Sequence, residues 1–185
     1  MLRAVLMDAI EMTRASGVPL TLRTLGRSVF LTDSFPVMVM ARAREVGRRW
    51  HVPLVNRVLR YTQMALFGIE IGKDVELGSG VFFVHTLGTV VGGDSRIGPR
   101  VRVLGNNTIG TAKDNGCPVI DEDVEIGVGA RILGPVHIGA RALIGANAVV
   151  LQDVPPDSFA AGVPATIRPR SRASGAKRDR DEPVS

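Results

Sequence analysis

Histidine and cysteine are the side chains of this sequence best suited to chemistry near neutral pH, and they are few. The 185 residues include three histidines and one cysteine. An imidazole can take a proton from a hydroxyl and later return it to a leaving group. His51 lies at an expected helix break, and His137 lies at an outward position of a six-residue repeat that fills the second half of the chain. Both are expected to be surface residues. His85 stands where that repeat changes register, next to Val84, and is therefore the candidate catalytic residue.

No pattern of metal ligands accompanies these histidines. No two of them have close spacing, and the sequence contains no CxxC, HExxH, P-loop or dinucleotide motif, so we expect no metal. Cys117 follows a glycine in a Gly/Asn-rich segment. It is either a small loop residue or a thiol activated by a nearby base, and the residues alone leave both readings open. A single cysteine forms no intrachain disulfide, which fits a cytoplasmic location.

The element that must position His85 is a six-residue repeat. Aliphatic residues return at every sixth place of the second half of the chain: Ile120, Ile126, Ile132, Ile138, Ile144 and Val150. Neither a helix, with a period near 3.6, nor a half-buried strand, with a period of two, explains this spacing. A period of six indicates a β-helix, in which short strands wind into coils that bury their aliphatic rows by stacking.

Two breaks interrupt the repeat. Between Phe83 and Val91 the frame slips by two residues, through the segment that holds His85. Between Ile109 and Ile120 the step is eleven, so five extra residues are inserted, and the segment TAKDNGCP at 111–118 that contains them is expected to form a loop. Loops that interrupt a regular scaffold often carry function, so both breaks are candidate site positions.

The remaining sequence predicts three regions. Residues 1–67 read as a helical region with breaks near residues 17–19 and 51–53, and residues 68–167 as the β-helix domain. Residues 168–185 read as a basic, disordered tail. The segment TDSFP offers Asp33 and its neighbours as a helix N-cap.

An apolar stripe runs through residues 54–67. It is expected to pack on the first coil, with a membrane-surface helix as the alternative.

Charge is unevenly distributed. The net charge is +5, but residues 1–67 carry +6, residues 68–167 carry −4 and residues 168–185 carry +3. No nucleic-acid motif or interleaved aromatic residues accompany the basic ends, so a solubilising role is favoured over nucleic-acid binding. The first residues lack a signal-peptide apolar core, and no run approaches the ~18 apolar residues of a spanning helix. Neither export nor membrane insertion is expected.

Four segments resemble the serine O-acetyltransferase branch of the hexapeptide acyltransferases. They are FVHTLGTVVG at 83–92, TIGTAKDNGCPVI at 108–120, IGVGARILGPVHIGARALIGANAVVLQDVPP at 126–156 and AAGVPA at 160–165. The resemblance implies an α+β chain, with N-terminal helices followed by a left-handed parallel β-helix of hexapeptide repeats. It also implies a homotrimer or a pair of trimers, with active sites between subunits. The implied reaction transfers acetyl from acetyl-CoA to a small-molecule hydroxyl.

The resemblance also assigns roles by position. His85 matches the family's general base, which takes the proton of the acceptor hydroxyl. Asp33 resembles the aspartate that grips the acceptor's ammonium, and Cys117 stands at a place that contacts the acceptor carboxylate. The positions that match the CoA groove are Gly110, Val128 and Ala146 for its backbone wall and Arg168 and Arg170 for the phosphates.

The sequence departs from this family at the acceptor side. Val84 replaces an aspartate that orients the catalytic histidine, Cys117 replaces a histidine, and Gly116 replaces an arginine. Two alternatives to a serine acetyltransferase therefore stay open. One is acetylation of a sugar, polysaccharide or natural-product hydroxyl or amine, and the other is a catalytically inactive scaffold.

Overall fold

The computed structural model describes residues 2–15, 17–111 and 115–170, and it begins with a group of helices. Their bounds are α1 Leu2–Ala15, α2 Leu22–Leu31, α3 Ser34–Arg49 and α4 Pro53–Phe67. A capping box at Thr21 starts α2, Pro53 starts α4, and Gly68 ends α4 in the left-handed conformation at φ +60°. The breaks predicted near residues 17–19 and 51–53 are confirmed. Among the described residues, no helix is both long enough and apolar enough to cross a bilayer.

The strands that follow form three sheets, which the chain visits in turn. Sheet A contains β1 Ile69–Ile71, β4 Thr89–Val91, β7 Thr108–Gly110, β10 Arg131–Leu133 and β13 Val149–Val150. Sheet B contains β2 Glu76–Leu77, β5 Arg96–Ile97, β8 Val119–Ile120 and β11 His137–Ile138. Sheet C contains β3 Phe82–Phe83, β6 Arg102–Val103, β9 Glu125–Ile126, β12 Leu143–Ile144, β14 Ser158–Ala161 and β15 Thr166–Pro169. All pairings are parallel except the β14–β15 hairpin, so the predicted parallel β-helix behind N-terminal helices is confirmed.

The sheet register locates both breaks of the repeat. Neighbouring strands of sheet A pair Glu70 with Val90, Val90 with Thr108, and Thr108 with Arg131. The chain therefore takes 20, 18 and 23 residues to complete the first three coils. Three six-residue sides account for 18. The first coil therefore holds two extra residues and the third holds five, as the sequence predicts. Of the loop TAKDNGCP, residues 112–114 lie outside the described residues.

Turns between the sheets form three edges, called here the A–B, B–C and C–A edges after the sheets they join. The B–C edge carries charged residues in the left-handed conformation: Arg100, Asp123, Arg141 and Asp157. Nε and Nη2 of Arg100 each donate to a carboxylate oxygen of Asp123 at 2.7 Å. Nε and Nη2 of Arg141 likewise donate to the two oxygens of Asp157, at 2.8 and 2.6 Å. These exposed pairs link successive coils. The Arg100 guanidinium lowers the pKa of the Asp123 carboxyl below its usual value.

The aliphatic residues of the repeat fill the centre of the coils. Ile126, Ile132, Ile138 and Ile144 are completely buried. Because each coil is narrow, its core holds one branched side chain from each sheet, which matches the low aromatic content of 4%.

The prediction for the apolar stripe of α4 is wrong. Leu54, Val58, Tyr61 and Leu66 are between 52% and 70% exposed, whereas Gln63 is completely buried. The Gln63 amide donates to the carbonyl of Val37 at 3.0 Å, so a polar side chain holds α4 inward. The buried face of α4 is therefore the one that carries Gln63, and these four residues of the stripe lie on the exposed side.

The end of the β-helix also differs from the predicted boundary. Strand β15 contains Arg168, so ordered structure continues past residue 167 as an antiparallel hairpin on sheet C. The hairpin covers the last strand edge. Most of the predicted disordered tail, residues 171–185, lies outside the described residues.

Candidate active site

His85 lies on the C–A edge of the first coil, in the turn between β3 and β4. Its side chain is exposed, whereas Val84 is half-buried against the core and Thr86 is 3% exposed. Gly105, on the same edge of the next coil, lies against it: a Cβ on Gly105 would stand 2.9 Å from the His85 Cβ. A glycine is therefore needed there, and the neighbours on both sides hold the imidazole outward.

The N-terminus of α3 abuts the strand that leads to His85. The buried hydroxyl of Ser34 accepts a hydrogen bond from the backbone N–H of Phe83 at 3.0 Å. Asp33, one residue earlier, is exposed and occupies the N-cap position, but its carboxylate makes no capping hydrogen bond to α3. Asp33 therefore stands at the predicted N-cap position without making the capping hydrogen bond. Its exposed side chain lies next to Ser34, which bonds to the strand before His85.

The C–A edge continues from His85 toward the last coil as a ladder of backbone bonds. Leu87 C=O accepts from Asn106 N–H at 3.1 Å, and Gly105 C=O accepts from Gly129 N–H at 3.0 Å. Val128 C=O accepts from Asn147 N–H at 2.8 Å, which places Val128 and Ala146 on the same edge, two and three coils beyond His85.

The side chains of Val128 and Ala146 are both exposed. Gly127, directly before Val128, lets its coil lie close to the next one, because a Cβ on Gly127 would stand 2.5 Å from the Ala146 nitrogen. The edge is therefore a continuous wall of small residues below His85.

Gly110 and Cys117 lie on a different edge. Gly110 ends β7 at the A–B edge, where its carbonyl accepts from Gly134 N–H at 2.9 Å. The half-buried Cys117 places its Sγ where a side chain of Gly93 would be, 2.1 Å from a Cβ built there. Sheet A, with strands of three residues or roughly 10 Å, separates the two edges. A single chain thus does not bring Cys117 to His85.

Arg168 and Arg170 lie at the open end of sheet C. Arg168 is exposed and pairs across the hairpin with Phe159, and Arg170 N–H donates to the carbonyl of Asp157 at 2.9 Å. Both guanidinium groups therefore belong to the last coil, and their backbones are fixed although their side chains are exposed.

The other histidines are surface residues, as predicted. His137 is exposed, and its Nε2 lies 3.0 Å from Asp121 Oδ1. His51 is exposed at the α3–α4 break. In the part of the chain that the structure describes, no three metal-ligating side chains come together.

Comparisons with known proteins match this arrangement. The bacterial transferase hexapeptide (six repeats) family model matches residues 117–152. A serine acetyltransferase of Synechococcus elongatus is 34% identical over 140 residues, which cover 74% of this chain and 57% of the relative. The serine acetyltransferase of Escherichia coli is 45% identical over 104 residues, covering 55% and 38%. The chain thus spans about half the length of these curated relatives, or less.

Solved structures extend the match into the helices. Soybean serine acetyltransferase complexed with serine is 32% identical, with 87% of this chain and 68% of that chain covered and a TM-score of 0.76. A serine acetyltransferase in complex with CoA is 30% identical, with 90% and 70% covered and a TM-score of 0.79. This chain belongs to the serine acetyltransferase-like branch of the hexapeptide-repeat acyltransferases.

In this serine acetyltransferase-like chain, sequence reasoning missed two residues that shape the site. Ser34 stood within the TDSFP segment, but its bond to Phe83 joins residues 49 positions apart, and no local pattern announces it. Gly105 belongs to no recognisable sequence motif. Its contact with His85 arises because the second coil stacks on the first, which the local sequence does not show.

Proposed function

We propose that this chain is an acetyl-CoA-dependent O-acetyltransferase, with L-serine as the first candidate acceptor and His85 as general base. The observation that carries the proposal is the exposed His85 imidazole, held in the two-residue slip at the top of the C–A edge. Membership of the serine acetyltransferase-like branch supports the reaction class.

The reaction needs one group that both accepts and donates a proton. His85 takes the proton of the acceptor hydroxyl as its oxygen attacks the acetyl carbonyl. The tetrahedral intermediate then collapses, and the C–S bond to CoA breaks. The imidazolium returns the proton to the departing thiolate, so the products are the O-acetyl ester and CoA thiol. Backbone N–H groups of the edge could stabilise the oxyanion.

Acetyl-CoA is proposed as the co-substrate, bound along the coil edges. The exposed backbone at Val128 and Ala146 would line the groove, with Gly110 contributed from the A–B edge. Arg168 and Arg170, exposed at the last coil, would meet phosphates of CoA as charge-assisted donors. The structural relative solved in complex with CoA supports this donor.

The acceptor would bind between α3 and His85. The exposed Asp33 carboxylate, beside the Ser34–Phe83 bond, would pair with an ammonium group. Structural relatives solved with serine support an amino-acid acceptor. A second candidate, another hydroxyl or an amine, is favoured by Val84 and Cys117, which stand where the resemblance places an aspartate and a histidine.

A homotrimer, which could pair into a dimer of trimers, would complete the site. Because His85 and Cys117 lie on different edges of one protomer, a neighbouring copy would have to bring the A–B edge to the C–A edge. We place the assembly in the cytoplasm, where the single cysteine would stay reduced.

A screen of acceptors tests the function. The protein is incubated with acetyl-CoA and a single acceptor, and thiol release is followed for L-serine, other amino acids, sugars and amines. Saturable release with L-serine supports the first candidate, whereas release only with other acceptors supports the second. No release with any acceptor, together with no measurable CoA binding, would overturn the enzymatic proposal.

A further inference from the structure

A cleft separates α3 from the first coil, on the A–B edge and away from His85. Its volume is about 390 Å³. It is lined on the helix side by Ala41, Arg42, Arg44, Glu45, Arg48 and Arg49, and on the coil side by residues 71–73 and 75–77. The proposed reaction uses none of these residues.

The lining is strongly basic. It holds five cationic side chains and two carboxylates, Glu45 and Glu76. Both carboxylates already have partners, because Glu45 accepts from Arg49 at 2.9 Å and Glu76 lies 3.6 Å from Arg96. Arg42 is bound to the buried Asp8 at 2.9 Å. Three cations are left: Arg44 and Arg48 on α3, for which no ion pair is found among the described residues, and Lys73 at the coil turn, whose ammonium has only a long contact of 3.8 Å to the adjacent Asp74.

Arg44 is the deepest of these cations. It is 5% exposed, and its guanidinium donates to the neutral oxygens of Asn56 at 2.8 Å, Gln63 at 2.7 Å and the Gly72 carbonyl at 3.2 Å. Among the described residues, no carboxylate lies within ion-pair distance of it. A buried charge normally has a counterion, so this positive charge is unbalanced.

The surroundings confirm the imbalance. Burial lowers the pKa of Arg44, and the like charges of Arg60 and Arg48 lower it further. Glu70, the opposing charge, is itself bound by Arg60. A ligand that brings negative charge to the cleft would relieve this repulsion.

We propose that the cleft between α3 and the first coil binds a tetrahedral oxyanion, either free phosphate or a small phosphomonoester, on Arg44, Arg48 and Lys73. Arg44 and Arg48 are four residues apart and share one face of α3. Lys73 stands opposite, with its carbonyl accepting from Arg48, and its ammonium is 73% exposed. The volume exceeds that of one phosphate ion, so a small organic group also fits beside it.

Two double variants test this proposal without disturbing the buried arginine. Arg48→Gln with Lys73→Gln removes two exposed cations from the cleft. Arg23→Gln with Arg27→Gln removes two exposed cations from α2 and is the charge-matched control. Binding of inorganic phosphate and of glycerol phosphate is measured by calorimetry and by Tm. Ionic strength is held constant with chloride.

The proposal predicts one-site, saturable binding to the wild-type protein and to the α2 control, with Tm rising along the same curve. The cleft variant should bind at least about tenfold more weakly, since charge-assisted hydrogen bonds are lost. Tighter binding of glycerol phosphate identifies a phosphomonoester as the ligand class, and equal binding identifies the free ion. Non-saturable stabilisation, or equal affinity in the cleft variant and the control, would overturn the proposal.

Discussion

The hydroxyl of Ser34 accepts a hydrogen bond from the backbone N–H of Phe83 at 3.0 Å, and Ser34 is 1% exposed. This bond joins the first turn of α3 to the strand that ends two residues before His85. It is therefore one of the contacts that hold α3 against the first coil, and the one nearest in sequence to the proposed base.

Ser34→Ala should destabilise the protein, because a buried N–H loses its acceptor. The expected loss is about 1–3 kcal/mol in the free energy of unfolding, measured by urea denaturation. Ser79→Ala is the matched control, since the buried Ser79 hydroxyl has no hydrogen-bond partner among the described residues. Equal effects of the two substitutions would show that the Ser34 bond contributes nothing specific.

Asp33→Asn should weaken acceptor binding if an ammonium group pairs with that carboxylate. KM for L-serine should rise about tenfold or more, the effect of losing one charged hydrogen bond, while KM for acetyl-CoA stays the same. Asp74→Asn, at an exposed turn of the first coil, is the control. Unchanged KM values for both substrates would remove Asp33 from the acceptor site.

Gly93 and Cys117 should show strong coupling. Gly93→Ala places a Cβ at φ +64° and 2.1 Å from the Cys117 sulfur, whereas Gly17→Ala, at φ +71°, meets no atom of the described residues within 4 Å. Gly17→Ala should cost only the strain of the left-handed conformation, about 1–2 kcal/mol, and Gly93→Ala should cost more. In a Cys117→Ala background the excess should disappear. A double-mutant cycle by chemical denaturation measures it, and additive effects would contradict the contact.

The Arg100–Asp123 pair predicts a pH dependence of stability. Because Arg100 lowers the folded-state pKa of Asp123, the stabilisation is present above the unfolded pKa near ~4 and is lost as pH falls through the folded value. The difference in unfolding free energy between wild type and Asp123→Asn should be under about 1 kcal/mol at pH 7, since both side chains are exposed.

Denaturation curves at pH 7 and at lower pH measure that difference, which should shrink on acidification. Asn tolerates the left-handed backbone at φ +58°, so the substitution removes the charge and one of the two acceptor oxygens without adding backbone strain. Asp94→Asn, at an exposed carboxylate without an ion pair in the described structure, is the control. A difference that grows at low pH would contradict the pair.

The coils and their interruptions could be predicted because their information is local. The six-residue period places Ile126 and Ile132 in the core, and the irregular steps after Phe83 and Ile109 reveal the 20- and 23-residue coils. Each coil repeats the same packing problem, so one rule describes them all.

The helices show where such reasoning fails. The apolar stripe of α4 predicted an inward face, but the buried Arg44 needs hydrogen-bond acceptors, and Gln63 supplies one from the opposite face. The Ser34–Phe83 bond likewise depends on how α3 docks on the first coil. Hydropathy measures neither contact, because both are long-range hydrogen bonds between polar groups.

The central claim, that His85 is the general base, is tested most directly by kcat of His85→Ala in steady-state thiol release with acetyl-CoA and the preferred acceptor. His137→Ala, an exposed histidine on sheet B, is the matched control. We predict that kcat falls about 10²–10⁴-fold for His85→Ala, while the control retains wild-type turnover. Wild-type kcat in the His85→Ala protein would contradict the account.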